Sequence, residues 1–245
     1  LELRGFRLGG GLAGSPEAPE LKGLKLAIPR GGLLLGAGKK ELEAIELSAD
    51  AAYAGGAARL ENLSLASRGI RLTGGGQYQG GRLGWELAGT AEAAELPGLL
   101  ACALGLDCEA WAAQGQIGLQ GKGSLAHGLP GGELSLALRE VGFSSADGLI
   151  LADKLQGNLM LRLEPKAKPL LSARGELNQG GLVYDTWYLD YGNAPLQASA
   201  QVSLGESLAV LEKASLSLRD IGSLTARGSL KTTDAAAPAY DLSLE

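Results

Sequence analysis

The 245 residues can form one or two domains and bury a core. With 45% of them hydrophobic, disorder is not expected. A net charge of −5, a pI near 5.1 and no basic block exclude a phosphate-tracking nucleic-acid surface and a polybasic membrane site. The apolar content is mostly Leu and Ala, aromatics are only 4%, and the 39 glycines are about twice the average usage. No apolar run reaches the roughly 18 residues of a membrane-spanning helix.

From the N-terminus, candidate strands lie at 1–8 and 21–28. Residues 41–53 fit either a helix (Leu42, Ile45, Ala49) or a strand, and the strand is preferred. Further strands are expected at 58–65, 69–78 and 82–91. The next segment breaks the pattern. Residues 96–105 read as a short helix, with Pro97 in its first turn and Gly105 at its end. Strict alternation returns at 117–122, 133–139, 155–164 and 214–219, and further strands fall at 170–177, 181–191, 196–204, 223–231 and 240–245. Alternating side chains point to opposite faces, so each strand has one apolar and one polar face, the pattern of an antiparallel sheet with one wet side. Glycine-rich punctuation at 74–76, 80–81, 130–132, 147–148 and 180–181, with Asn193, reads as hairpin turns of a long meander.

Chemistry-bearing motifs are sparse. Gly36-Ala37-Gly38-Lys39-Lys40 fails as a phosphate loop, because Leu33 replaces the first glycine and Lys40 the Ser or Thr. His127 is the lone histidine and reads as a loop residue; with no CxxC or HExxH, no metal site is expected. Neither a cofactor nor a catalytic role is expected. The aromatics are too few for the two girdles of an outer-membrane barrel, and the cluster at 183–191 is expected to cover a strand edge or pack on the core. Cys102 and Cys108 are the only cysteines. A continuous helix would hold their Cα atoms about 9 Å apart, beyond the roughly 7 Å a disulfide tolerates. Gly105 between them allows the chain to fold back, so in an oxidising compartment they can form a local disulfide, the alternative being two small buried hydrophobes.

The segment Glu140-Val141-Gly142-Phe143-Ser144-Ser145-Ala146-Asp147-Gly148, leading into Lys154-Leu155-Gln156-Gly157-Asn158-Leu159, resembles YdbH-like proteins of the AsmA-like group, which includes TamB. Tyr188-Leu189-Asp190-Tyr191-Gly192 with Pro195-Leu196 is similar to a later piece of the same proteins. So is 214–219 with Ile221-Gly222-Ser223-Leu224-Thr225-Ala226-Arg227-Gly228. The resemblance covers roughly 110–245 and rests on alternation rather than on a catalytic signature.

It implies an all-β fold: a long antiparallel sheet curled into an elongated, taco-like groove, with one periplasmic segment over 1–245 and a possible subdivision near 95–110. It implies phospholipid carriage between inner and outer membranes, acyl chains and the rest of the same polypeptide as partners, an outer-membrane lipoprotein as a further partner, and no nucleic acid. The groove lining is then expected at Leu134, Leu136, Leu138, Leu159, Leu161, Leu163, Leu216 and Leu218. The first residues show neither an initiator Met nor a signal peptide, and 240–245 read as a strand that stops midway. The chain is therefore expected to be one stretch of a longer exported protein, with its inner-membrane anchor elsewhere. An exported adhesive β-solenoid and a scaffold for outer-membrane protein assembly are the competing expectations.

Overall fold

The computed structural model describes residues 2–4, 7–35, 38–95, 97, 111–126, 128–166, 168–192, 195–205, 208–219, 221–231 and 239–244. They form one antiparallel sheet. Its strands are β1 (Glu2–Arg4), β2 (Arg7–Ser15), β3 (Ala18–Leu35), β4 (Gly38–Ala54), β5 (Ala57–Ser67), β6 (Ile70–Gln79), β7 (Arg82–Glu92) and β8 (Ala112–Ala126). The second half comprises β9 (Leu129–Ser144), β10 (Ile150–Glu164), β11 (Leu170–Tyr184), β12 (Trp187–Asp190), β13 (Leu196–Leu204), β14 (Leu208–Leu218), β15 (Gly222–Lys231) and β16 (Ala239–Leu244). From β3 onward each strand pairs with its sequence neighbour, except that the short β12 folds back on β11 and lets β13 take the next place. β1 and β2 pair in succession along β3. Fourteen strands lie on the path, which runs about 60 Å at the usual inter-strand spacing. Among the described residues the two ends of the path do not pair with each other, so the sheet is open.

The register explains why alternation was the dominant signal. Leu159 pairs with Leu136, Leu161 with Leu134, Leu119 with Leu136, and Leu196 with Leu218, always apolar opposite apolar. The intervening rows place polar groups together on the other face. Glu133 lies between Lys122 at 3.4 Å and Arg162 at 3.7 Å, and the Ser199 and Ser215 hydroxyls are 2.8 Å apart. Such exposed ion pairs add little stability, at most about 1 kcal/mol each. Their effect is to keep that face wet and the register single, since a slip of one residue would carry the leucines into water.

Long strands curl because they are interrupted. Residues at positive φ mark bulges in adjacent strands: Glu140 in β9 (51°), Lys154 in β10 (49°), and Gly115 and Gly180 in β8 and β11. The register shifts at the same places, and each extra residue bends its strand and raises the twist. A second set sits at Gly23, Asn62 and the Ser48/Asp50 step. There the Asp50 carboxylate accepts the Gly23 amide at 2.7 Å and the Asn62 side-chain amide at 2.8 Å, clasping three strands.

The core is small. A cluster of Ala93, Ile117, Val141, Ala152, Leu155 and Tyr191 occupies one margin of the apolar face, with no buried polar residue in the described part. The accessible surface is 15936 Å², whereas a compact monomer of this mass exposes about 10,000 Å². A surface half as large again is that of a single curled layer rather than two sheets packed face to face.

Several local expectations change. The strand expected over 181–191 is two strands: the chain turns at Asp185-Thr186, where Asp185 takes φ 53°. Of the strand expected at 1–8, Glu2–Arg4 and Arg7-Leu8 are strand and pair with β3 in one register, the other residues lying outside the described ones. Gly74–Gly76 and Gly180-Gly181 are not turns but lie inside β6 and β11. The hairpin expected at 130–132 turns instead just before β9 begins at Leu129. The ambiguous stretch 41–53 is strand, inside β4. The expected helix at 96–105, Cys102, Cys108 and His127 fall on residues outside the described ones, apart from Pro97. A short 3-10 turn at Ala93–Glu95 leads towards them.

Candidate functional site

The feature that sets this sheet apart is its continuous apolar face. Tracing the register from β7 to β14, that face carries Trp85 and Leu87, then Leu119, Leu134 and Leu136, then Leu159 and Leu161, Ala173, Ala198 and Ala200, and Leu216. Every step is a direct cross-strand pairing or a neighbour two residues along. The eight leucines expected at the site all fall on this face, in two groups. Six lie on the adjacent β9 and β10; Leu216 and Leu218 lie on β14, beyond β11 and β13.

They do not share one environment. Leu136, Leu138 and Leu218 pack against the buried cluster. Leu134, Leu159, Leu161 and Leu163 are half-buried, and Leu216 is 39% exposed. The face therefore has a sealed margin, where Tyr191 is only 2% exposed, and an open margin at the opposite strand ends.

The open margin holds residues that alternation did not single out. Tyr53, Tyr78, Leu83 and Trp85, with Leu12 and Leu60, line an apolar depression of about 560 Å³. The Trp85 indole lies where a Cβ on Gly123 would be, so the glycine makes room for the ring. Trp85, Leu87 and Leu134 converge on Gly121, within 3.3–3.4 Å of the place a side chain would occupy. That contact joins the depression to the leucine row. The sequence signal available was the pairing of Trp85 with Gly76 and Gly123 on the two flanking strands, which becomes visible only once the register is known.

Depressions of about 600 and 910 Å³ lie mainly on the polar face. A strongly twisted sheet is saddle-shaped, so both faces acquire hollows. The first is ringed by Gln120, Ser135, Asn158, Arg174, Glu176 and Ser199. Neither polar hollow contains a group of three metal-ligating side chains, and there is none elsewhere among the described residues. No helix among those residues is long and apolar enough to cross a membrane, which says nothing of strands.

The apolar face is therefore a long surface without fixed polar anchors. Comparison with known proteins adds no name to it: no family model, curated protein or solved structure matches the chain.

Proposed function

We propose that this chain is a segment of a bridge-like protein of the Gram-negative envelope, whose trough conducts phospholipid acyl chains between the inner and outer membranes. The observation that carries the reading is the unbroken apolar face on a sheet whose surface is half as large again as that of a compact protein. An acyl chain is about 15 Å long, half the hydrocarbon core of a bilayer, and so covers about three inter-strand spacings. Six inter-strand spacings separate β7 from β14, so the trough holds about two such lengths in series.

The mechanism is a lowered barrier. A lipid that leaves a bilayer unaided exposes its methylenes to water at a cost of about 0.8 kcal/mol each. A wall of leucine that covers half of each methylene removes about half of that cost, while the headgroup stays in water at the open margin. Leucine and alanine bind by shape and dispersion only, so one position along the trough is much like the next and sliding meets no deep trap. The chain's place in the periplasm, an inner-membrane anchor in the same polypeptide, and an outer-membrane lipoprotein as acceptor belong to the same proposal. They rest on the resemblance of residues 110–245 to YdbH-like proteins.

The test is the lipid content of chain purified from a periplasm. Phospholipid is expected in the extract by mass spectrometry, and its yield is expected to fall when Leu134, Leu159 and Leu161 are each changed to Gln. An intact sheet by circular dichroism with no phospholipid, or an unchanged yield from the triple variant, would count against the conduit.

A further inference from the structure

One row of the wet face holds a side chain out of keeping with its neighbours. From β8 to β14 the row reads Gln120, Ser135, Met160, Arg174, Ser199 and Ser215, each paired directly with the next. Every member but Met160 donates hydrogen bonds. Met160 is also the chain's only methionine. Nor does it fill a core: it is 51% exposed, on the face opposite the leucines of the trough.

The donors around it are free. Ser135 and Arg174 are its direct cross-strand partners, which sets their Cβ atoms about 5 Å from its own. Asn158 stands two residues back on the same strand and face. Among the described residues the side chains of Ser135, Asn158 and Arg174 have no hydrogen-bond or ion-pair partner in the protein. A thioether sulfur is a weak acceptor and leaves such donors to water. A sulfoxide is polar, and its oxygen accepts readily. Oxidation of methionine usually injures a protein because it puts that polarity into a packed core. At Met160 it supplies an acceptor to a row of donors.

We infer that Met160 is a reversible oxidation site, taken to its sulfoxide by hydrogen peroxide and held in that form by Arg174. The sulfur lone pair attacks one peroxide oxygen. The S–O bond forms as the O–O bond breaks, the sulfur gives up an electron pair, and the second oxygen leaves as water. Half exposure gives a molecule as small as peroxide a direct approach. The product oxygen accepts from the Arg174 guanidinium across the strand pair. Because both groups are in contact with water, the gain in stability is modest. Methionine sulfoxide reductases restore the thioether, one enzyme for each sulfoxide epimer.

This site goes beyond the conduit reading and stands without it, because its side chains lie on the other face of the sheet. The test treats protein whose cysteines have been alkylated with hydrogen peroxide. Mass spectrometry is expected to show the uptake of one oxygen atom, absent in Met160→Leu and reversed by the two classes of methionine sulfoxide reductase together. Circular dichroism is expected to be the same before and after. The urea midpoint of the oxidised protein is expected to rise by about 0.2–0.4 M, the effect of one exposed charge-assisted hydrogen bond. In Arg174→Ala the oxygen is expected to be taken up as before, but the midpoint is expected not to rise. Absence of oxygen uptake, or a midpoint that falls on oxidation as it does when a packed methionine is lost, would overturn the proposal. So would a rise of equal size in Arg174→Ala.

Discussion

A charge placed on the apolar face should have opposite consequences at its two margins. Leu155 is 6% exposed inside the packed cluster, whereas Leu161 is half-buried on the same face of the same strand, six residues along. In Leu155→Glu the carboxylate is sealed in without a partner, a change that costs about 3–5 kcal/mol. In Leu161→Glu the carboxylate stays in contact with water through the open side. The loss is then part of the 1.5–3 kcal/mol of a fully buried leucine, or about 1 kcal/mol. With a urea slope of about 2–3 kcal/mol per molar, the midpoint should fall by about 1–2 M for Leu155→Glu and by about 0.5 M or less for Leu161→Glu. Urea titration followed by circular dichroism measures both. Equal, large losses would mean that Leu161 lies in a closed core, and the open trough would be refuted.

Other expectations follow from particular contacts. The Asn62 side chain, followed by the Gly23 amide, holds the Asp50 carboxyl below its usual value of 3.8. Its contribution is therefore complete above about pH 4 and lost as pH falls through the lowered value; in Asp50→Asn the acid-side decline in the urea midpoint should be shallower, and an unchanged profile would dismiss the clasp. A Cβ on Gly157 would fall on the Glu176 carbonyl across the strand pair. Gly157→Ala should accordingly cost about 1–3 kcal/mol, and a neutral result in denaturation would show that β10 and β11 can part there without loss. In protein taken from an oxidising compartment, Cys102 and Cys108 should resist thiol alkylation, and a mass showing two alkylated thiols would reject their bridge.

Much of the sheet was legible because the apolar period of two survives strand after strand. The alternation at 133–139 and 155–164 marked the apolar face, and those leucines face one another across β9 and β10. Where legibility failed, the backbone departed from the period without changing composition. Glu140 and Lys154 hold positive φ with side chains that do not advertise it, so the bulges that bend the sheet were invisible. Glycine misled in the other direction. Gly74–Gly76 resembles a turn, but within β6 these residues allow close approach to Trp85 and Leu87 on β7. The aromatic run at 183–191 concealed a hairpin, since β-forming residues flank Asp185 and Thr186 on both sides. The open-margin lining at Tyr53, Tyr78 and Trp85 depends on register across four strands, a long-range property that no window of sequence contains.

The most direct measurement places a photo-crosslinking residue at Leu161, and separately at Arg162, in living Gram-negative cells. Leu161 faces the trough between Leu134 and Ala173, whereas Arg162 points to the opposite face beside Glu133. Phospholipid adducts are expected at Leu161 and not at Arg162. Equal labelling at the two positions, or none at either in a protein that remains folded, would contradict a lipid-conducting trough.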